Sequence, residues 1–272
     1  MRTRLLLLLT PLPAIAVGAA VAVKSGVSAV AFLPNAAAVV LGVIFAALLP
    51  KVVRGHALAT AVVAVLAIAT TLVFEGNEGV HRWLQLGPIR LNASAAFAPL
   101  VLAALAQRAD WRSAIVAAAA LAIQLVQPDA GQQTALAVGL AVLLIRSGAR
   151  PAAKVAFGAI LVSATAWAWI RPDPLAPVAH VERIHSMAID SGLVGTLGMA
   201  LALVVLVAPL LLAARRNALA GALGAYLVTT LLVPLFGAFP VPVLGAGAGP
   251  VLGWYLALGL SQRGQQAEYR SP

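Results

Sequence analysis

The run Leu193-Val-Gly-Thr-Leu-Gly-Met-Ala-Leu-Ala-Leu-Val-Val-Leu-Val-Ala-Pro-Leu-Leu-Leu-Ala-Ala214 holds 22 residues without one charged side chain. Arg215 and Arg216 follow it directly. An α-helix needs about 20 apolar residues to cross the hydrocarbon of a bilayer. Basic side chains anchor the cytoplasmic end of such a helix. This stretch therefore predicts a membrane-spanning helix.

Nine further stretches of the chain are apolar in the same way. Hydrophobic residues make up 62% of the sequence and charged residues only 10%, which lies outside the range of soluble domains. Because lipid offers no water to backbone groups, those groups must pair within each segment, which favours helices. We therefore predict an all-α polytopic membrane protein, one domain over residues 1–272 with about ten transmembrane helices. The predicted helices span residues 5–23, 28–50, 56–74, 92–107, 112–127, 131–147, 152–170, 186–214, 217–237 and 244–262.

Lysine and arginine collect in every second gap between the apolar stretches. With the N-terminus inside, thirteen basic residues face the cytoplasm and five face outward, as the positive-inside rule expects. The five outer residues are Lys24, Arg82, Arg90, Arg171 and Arg183. We therefore predict that both termini are cytoplasmic. The net charge of +10 is then a topological signal beside membrane lipids, and no nucleic-acid partner is expected.

The first residues allow a second interpretation. Arg2, Arg4 and the leucines that follow resemble a secretory signal, with a small-residue cleavage site further on. An even count of ten helices requires that this first span is retained. The sequence contains no cysteine, which excludes disulfides and thiolate metal sites.

The carboxylates follow the opposite rule to the basic residues. Six of the eight map to the outer loops or the outer helix ends: Glu75, Glu78, Asp129, Asp173, Glu182 and Asp190. Charges at membrane depth are costly and usually mark a site or an ion pair. We expect the segments that carry them to converge on one extracytoplasmic vestibule. For Glu75 and Glu78 we favour the simpler interpretation that acidic side chains are tolerated at the outer face and have no further role.

Five segments carry a family resemblance, in order along residues 56–262. They are Gly79-Val-His-Arg-Trp-Leu-Gln-Leu-Gly87, Gln127-Pro-Asp-Ala-Gly131, Trp169-Ile-Arg-Pro-Asp-Pro-Leu175, Ala188-Ile-Asp-Ser-Gly-Leu-Val-Gly195 and Gly237-Ala-Phe-Pro-Val-Pro-Val-Leu-Gly-Ala-Gly247. These resemble, in place and order, motifs of the SEDS family (shape, elongation, division and sporulation). That family comprises ten-helix peptidoglycan glycosyltransferases of the bacterial inner membrane, including RodA and FtsW.

The resemblance implies a site and a reaction. The family polymerises lipid-linked disaccharide units, so a lipid II-like precursor is the implied substrate. Asp173 is the implied catalytic base. The other residues implied to bind substrate are Arg82, Trp83, Ser94, Gln127, Asp129, Arg171, Arg183 and Asp190. Asp129 and Asp190 would shape the vestibule or steer a divalent cation, Mg²⁺ or Mn²⁺. The implied partner is a single-span penicillin-binding transpeptidase.

Departures from the family pattern keep two alternatives open. The family's Glu and Lys positions after the Arg-Trp loop are Ala95 and Ala98 here. Loss of both charges together is what a paired acid and base would tolerate, since removing one alone strands a buried charge. The loop after the seventh span is also short. One alternative is therefore a catalytically silent relative that acts as a membrane partner in cell division or shape. The other is a lipid or solute transporter.

Several site residues also have simpler interpretations. Asp129 precedes a helix and is a suitable N-cap. Asp173 is placed to cap an Arg-Pro-Asp-Pro turn, and Asp190 to pair with an outer arginine. His180, Glu182 and His185 are metal-binding residue types. Because no third ligand is fixed by their spacing, we favour an interfacial polar loop and predict no metal site.

Overall fold

The computed structural model describes residues 2–268 except 88, 109, 172 and 216, with the side chains of residues 2–5, 86 and 262–268 left aside. Helices dominate the described chain. They are α1 Arg2–Leu9, α2 Leu12–Lys24, α3 Leu33–Gly55, α4 Ala57–Ala69, α5 Ala93–Leu105, α6 Trp111–Val126, α7 Ala130–Arg146, α8 Pro151–Ile170, α9 Ala179–Glu182, α10 Ile184–Asp190, α11 Leu193–Ala214, α12 Ala218–Leu232 and α13 Ala248–Glu268. Short 3-10 turns cover Ala29–Phe32, Thr70–Val73 and Val233–Leu235.

Five helical segments of the described chain are long and apolar enough to cross a membrane. They are Leu6–Lys24, Ala29–Gly55, Pro151–Ile170, Leu193–Ala214 and Ala218–Leu235. Five shorter apolar helices complete the set: Ala57–Val73, Ala93–Leu105, Trp111–Val126, Ala130–Arg146 and Ala248–Ser261. These ten segments follow the ten predicted spans in order. A multi-pass helical membrane protein is thus confirmed, while ten crossings and cytoplasmic termini stay predictions.

One predicted span is divided in two. The apolar stretch 186–214 is broken at Ser191 and Gly192, so that α10 ends at Asp190 and α11 begins at Leu193. Gly192 has φ 87°, a left-handed conformation that an L side chain rarely adopts. Asp190 consequently lies at the end of a short helix, and not one turn inside a long one.

A small β-hairpin, absent from the sequence-based expectation, positions Arg82. Strand β1, Trp83–Leu86, pairs antiparallel with β2, Ile89–Asn92. Ala93 follows β2 and Arg82 precedes β1. The two residues are joined by a hydrogen bond, in which the Ala93 amide donates to the Arg82 carbonyl at 3.1 Å. Asn92 then caps α5 by accepting from the Ala95 amide at 2.8 Å. Hairpin and helix cap together hold the backbone of Arg82 against the bundle.

Helix α13 is the central helix of the bundle, packed against α3 and α5. Its glycines allow close backbone approach: a Cβ on Gly253 would lie 1.9 Å from the Ala95 carbonyl, and one on Gly259 would lie 2.5 Å from the Ala46 Cα. Small residues serve this purpose at membrane helix interfaces. Trp254 is fully buried beside Gly253. The interior between α5 and α13 is therefore filled by protein.

The two ends of the bundle carry different chemistry. Helix α7 contains 17 residues, which at 1.5 Å per residue separates its ends by about 26 Å. Asp129 precedes it and Arg146 closes it. We call these the Asp129 end and the Arg146 end; the sequence predicts that the Asp129 end faces outward.

The segment 236–247 is irregular yet largely buried at the Asp129 end. Its Val241 amide donates to the Val181 carbonyl at 2.9 Å, and its Ala246 amide donates to the His180 carbonyl at 2.9 Å. The fully buried Asn35 of α3 donates to the Gly245 carbonyl at 3.0 Å and accepts from the Gly247 amide at 2.7 Å. Non-helical backbone is tolerated at membrane depth where protein surrounds it in this way. The segment thereby fixes α9.

Candidate functional site

A buried arginine joins two carboxylates at the Asp129 end. Arg82 is only 3% exposed. Its Nη2 lies 2.7 Å from Asp173 Oδ2, and its Nε lies 3.7 Å from Asp129 Oδ2. The same Nε donates to the Pro128 carbonyl at 3.1 Å. These three charged residues form the Arg82 cluster, drawn from the hairpin, the start of α7 and the loop after α8.

Asp129 has two structural roles within the cluster. One carboxylate oxygen accepts from the Gln132 amide at 3.0 Å and so caps α7. The other oxygen faces Arg82. The predicted helix cap is therefore confirmed and coexists with an ion pair. A carboxylate at a helix N-terminus also gains from the helix dipole, which stabilises its charge.

Asp173 is the accessible carboxylate of the cluster. Its Oδ1 accepts from the Leu175 amide at 3.1 Å, which confirms the turn cap expected from the sequence. Its side chain is 22% exposed, whereas that of Asp129 is 4% exposed. Asp173 is thus the carboxylate of the cluster that a molecule from outside can reach.

Aromatic side chains close one side of the cluster. The Arg82 Cζ lies 6.0 Å from the ring centroid of Phe239, within cation–π range. Trp169 meets Phe239 edge-on with centroids 5.5 Å apart, and its Nε1 donates to Thr134 Oγ1 at 2.9 Å. These contacts lock the end of α8 and the segment 236–247 around the guanidinium.

A cavity of about 570 Å³ opens at the same end of the bundle, and the three cluster residues are not among its lining residues. Glu182, Arg183, His185 and Asp190 line it on one side, and Gly237 lies on the other. Burial raises the pKa of Glu182 above its ordinary value, although the Val178 amide bond and the Arg82 charge act in the opposite direction. The charges of Arg82 and Asp173 both act on Glu182, so one wall of the cavity lies within electrostatic reach of the Arg82 cluster.

Two of the sequence-predicted residues lie in the core instead. Ser94 and Gln127 are 1% and 0% exposed. Ser94 Oγ donates to Gln127 Oε1 at 3.1 Å, and Gln127 Nε2 donates to the Ile68 carbonyl at 3.0 Å and to Thr71 Oγ1. A satisfied buried network of this kind fixes helix register. These bonds tie α4, α5 and α6 together directly behind Asp129; substrate contact by either residue stays a prediction.

The remaining predicted residues surround the cluster without joining it. Trp83 is half-buried in β1. Arg171 is exposed and donates to the Leu125 carbonyl, while Arg183 is exposed at the cavity. Asp190 is exposed, and the described residues give it no ion pair. The expected pairing of Asp190 with an outer arginine is therefore not seen in the described part of the chain.

The donor set does not fit a divalent cation. Within the described residues, no three His, Asp or Glu side chains are grouped to hold a metal ion. Hard cations require several carboxylate or carbonyl oxygens directed at one point. Both Asp129 and Asp173 direct an oxygen at Arg82, whose charge repels a metal ion. Asp129 and Asp173 therefore do not form a site for Mg²⁺ or Mn²⁺ in this arrangement.

Sequence reasoning missed two members of the site, Phe239 and the role of Glu182. Phe239 lies inside the Gly237–Gly247 motif, between Ala238 and Pro240. An aromatic residue in a segment that glycine and proline keep from being helical was the available signal. The sequence places Glu182 among the outer carboxylates and as a metal-binding residue type, but does not indicate that it lies near Arg82. Its proximity to Arg82 depends on contacts between α9 and the segment 236–247, which no spacing rule predicts.

The fold defines a class of polytopic membrane proteins built around a central glycine-rich helix, with an irregular loop region at one end. Rod shape determining protein RodA of Thermus thermophilus superposes with TM-score 0.75 and 20% identity, covering 97% of each chain. An Asp-to-Ala mutant of that RodA gives TM-score 0.75 and 20% identity over 97% of this chain and 98% of the mutant.

A third structure comes from a study of polymerization and crosslinking by a peptidoglycan synthase complex. It gives TM-score 0.69 and 21% identity over 96% of this chain and 98% of that chain. No family profile and no curated protein matches the sequence. The chain has the SEDS-family fold, as the five sequence motifs predicted.

Proposed function

We propose that this protein polymerises a lipid-linked glycan precursor of the lipid II type at the outer face of the bacterial inner membrane. The carrying observation is the Arg82 cluster, in which a buried guanidinium holds the accessible carboxylate of Asp173, at the same end of the bundle as the cavity lined by Glu182. The SEDS fold supports peptidoglycan synthesis as the setting. A single-span penicillin-binding transpeptidase is the proposed partner, supported by likeness to a chain of a peptidoglycan synthase complex.

Asp173 is the proposed general base. Its carboxylate takes the proton from the attacking sugar hydroxyl of one precursor. The hydroxyl oxygen then bonds to the anomeric carbon of a second precursor, and the bond from that carbon to the pyrophosphate oxygen breaks. The leaving polyprenyl pyrophosphate keeps the bonding electron pair. The partial exposure of Asp173 allows this approach while Arg82 fixes the carboxylate plane.

The arginines divide into a positioning residue and two anion-binding candidates. Arg82 already faces two carboxylates and the Pro128 carbonyl, so its role is to orient Asp173. Arg183 is exposed at the cavity, and Arg171 is exposed at the end of α8. Charge-assisted hydrogen bonds from such side chains would hold the departing pyrophosphate.

The test is polymerisation of fluorescent lipid II by the purified full chain. Replacing Asp173 by Asn removes the base but keeps the shape of the side chain. Removal of a general base lowers the rate by about 10²- to 10⁴-fold. Glu78→Gln is the matched control, because Glu78 is an exposed carboxylate outside the cluster. If Glu78→Gln loses as much polymer as Asp173→Asn, Asp173 is not the base.

One observation favours the catalytically silent alternative. Ala95 and Ala98, which replace the family's charged pair, are 5% and 0% exposed, and Ala95 lies against Gly253 of α13. This part of the interior offers a substrate no polar contact. An inert wild-type chain that co-purifies with a transpeptidase would establish a partner role instead. No described contact favours a transporter, because Asp129 is sealed by Arg82 while Asp190 stands apart.

A further inference from the structure

The Arg146 end contains an apolar cavity that the proposed reaction does not use. Its volume is about 550 Å³, and it lies between α6, α7 and α8. Leu140, Leu144, Phe157 and Ile160 are among its lining residues, and alanines contribute much of the remaining apolar wall. A cavity of this size and lining accommodates hydrocarbon chains, as apolar ligand pockets generally do.

Helix ends of both signs meet at the rim of this cavity, because the C-terminal residues of α5 and α7 line it beside three helix N-termini. Helices α6, α8 and α12 begin at the rim, with Trp111, Ala153 and Ala218 contributing to the lining. Each helix N-terminus has a partial positive charge from its aligned peptide dipoles. Asp110 caps α6 and offsets one of the three. The other two N-termini have no acidic residue in their first turns.

Arg146 lines the cavity, Lys154 lies on α8 next to the lining residue Ala153, and backbone carbonyls hold both cations. Arg146 Nη1 donates to the carbonyls of Ala214 at 3.2 Å and Asn217 at 3.0 Å. Lys154 Nζ donates to the Ile145 carbonyl at 2.9 Å. Carbonyls position a cation without neutralising its charge. In the described chain neither cation has an ion-pair partner.

Arg108 is different, because its charge is already compensated. Its Nη2 lies 2.7 Å from Asp110 Oδ2. The hydrogen bond from the Ser113 amide and the Arg108 guanidinium lower the pKa of Asp110 to about 2, which keeps this partner ionised at neutral pH. Arg146 at the cavity and Lys154 beside it, by contrast, have no carboxylate partner in the described chain.

We propose that this cavity binds an anionic diacyl phospholipid, with an acyl chain against the apolar wall and the phosphate at Arg146 and Lys154. Trp111, 68% exposed at the rim, lies where an indole ring meets the headgroup region. The charge arrangement selects the headgroup, because a zwitterionic choline lipid would bring its ammonium group toward two cations that no described carboxylate compensates.

The experiment is native mass spectrometry of the purified full chain, incubated with equimolar phosphatidylglycerol and phosphatidylcholine of the same acyl composition. The wild-type chain should retain phosphatidylglycerol preferentially. Lys154→Gln should lower that retention about fivefold, the effect of one basic side chain near an anionic headgroup. Arg54→Gln is the control, since Arg54 is exposed near the C-terminal end of α3, a helix that contributes no residue to the cavity lining.

A second variant tests the apolar wall without changing charge. Ala156→Phe adds a ring inside the cavity at a position exposed on α8, so the fold does not depend on it. It should lower phosphatidylglycerol retention by a similar factor. Ala159→Phe, exposed on α8 but outside the lining, should retain the lipid as the wild type does.

Three results overturn the proposal. Equal retention of phosphatidylcholine would remove the charge argument. Unchanged retention in Ala156→Phe would place the lipid elsewhere on the chain. Equal retention of a single-chain fatty acid would show that the cavity does not select a diacyl phospholipid.

Discussion

Arg82 and Arg146 show how one residue type behaves at the two ends of the same bundle. Arg82 is 3% exposed and faces two carboxylates. Arg146 is exposed and is held by two backbone carbonyls. A buried cation must be compensated, whereas a cation at the membrane surface keeps its charge for other uses. The charge of Arg82 is consequently committed to structure, and that of Arg146 is free to attract anions.

The largest difference between the two ends should appear when each arginine is removed. Arg82→Ala strands two carboxylates, one of them buried, and should lower the free energy of unfolding by about 3–5 kcal/mol. Arg146→Ala removes two hydrogen bonds near the surface and should cost about 1 kcal/mol. Thermal unfolding of the two variants in the same detergent measures both. Equal losses would show that burial does not distinguish these arginines.

The two aspartate caps provide a smaller contrast. Asp110→Ala removes the half-buried cap of α6 and should lower the free energy of unfolding slightly. Asp129→Ala removes a cap and also one partner of Arg82, so its cost should be larger, about 2 kcal/mol or more. Unfolding measurements should include Asp110→Asn and Asp129→Asn, which keep the capping oxygen. Asp129→Asn should recover only part of the loss, because it restores the cap but not the charge.

The smallest expected effect is a pH dependence of opposite sign at the two ends. The pKa of Glu182 is raised above 4.5 on folding, so its contribution to stability is present below pH 4.5 and is lost as pH rises through the higher value. The pKa of Asp110 falls from 3.8 to about 2, so its contribution is present above pH 3.8 and is lost as pH falls toward 2.

Melting temperatures between about pH 2 and pH 7 separate these contributions. Glu182→Gln should remove a fall in stability above pH 4.5, and Asp110→Asn should remove a loss below pH 3.8. A Glu182→Gln variant whose profile matches the wild type would show that burial does not shift this carboxyl.

The helical organisation followed from hydropathy because lipid imposes one rule on every span. Hydropathy did not predict two features, the break at Gly192 and the β-hairpin, because local backbone geometry determines both. The break at Gly192 has apolar residues on its C-terminal side, so hydropathy alone bridges it; the Asp190-Ser191-Gly192 sequence was the available signal. The hairpin was missed because its strands are short, although Leu84, Leu91 and the Gly87-Pro88 pair follow an alternating pattern with a turn.

The site was predictable in its members more than in its arrangement. Motif resemblance pointed to Arg82, Asp129 and Asp173, and the structure brings these three together. Nothing local indicates that Arg82 meets a carboxylate 91 residues later in the chain. Ser94 and Gln127 were chosen by the same resemblance, yet they bond each other in the core. Motif position therefore does not distinguish a reacting side chain from one that supports it.

Asn35 carries a consequence for how the molecule matures. Its amide bonds partners 210 and 212 positions later, on either side of Ala246, and that segment in turn holds the backbone of His180 and Val181. Insertion into the bilayer proceeds from the N-terminus, so this fully buried amide has no partners until the segment around Ala246 has been made. The Asp129 end of the bundle is thus completed late, and nascent chains halted before Gly245 lack the contacts that hold α9.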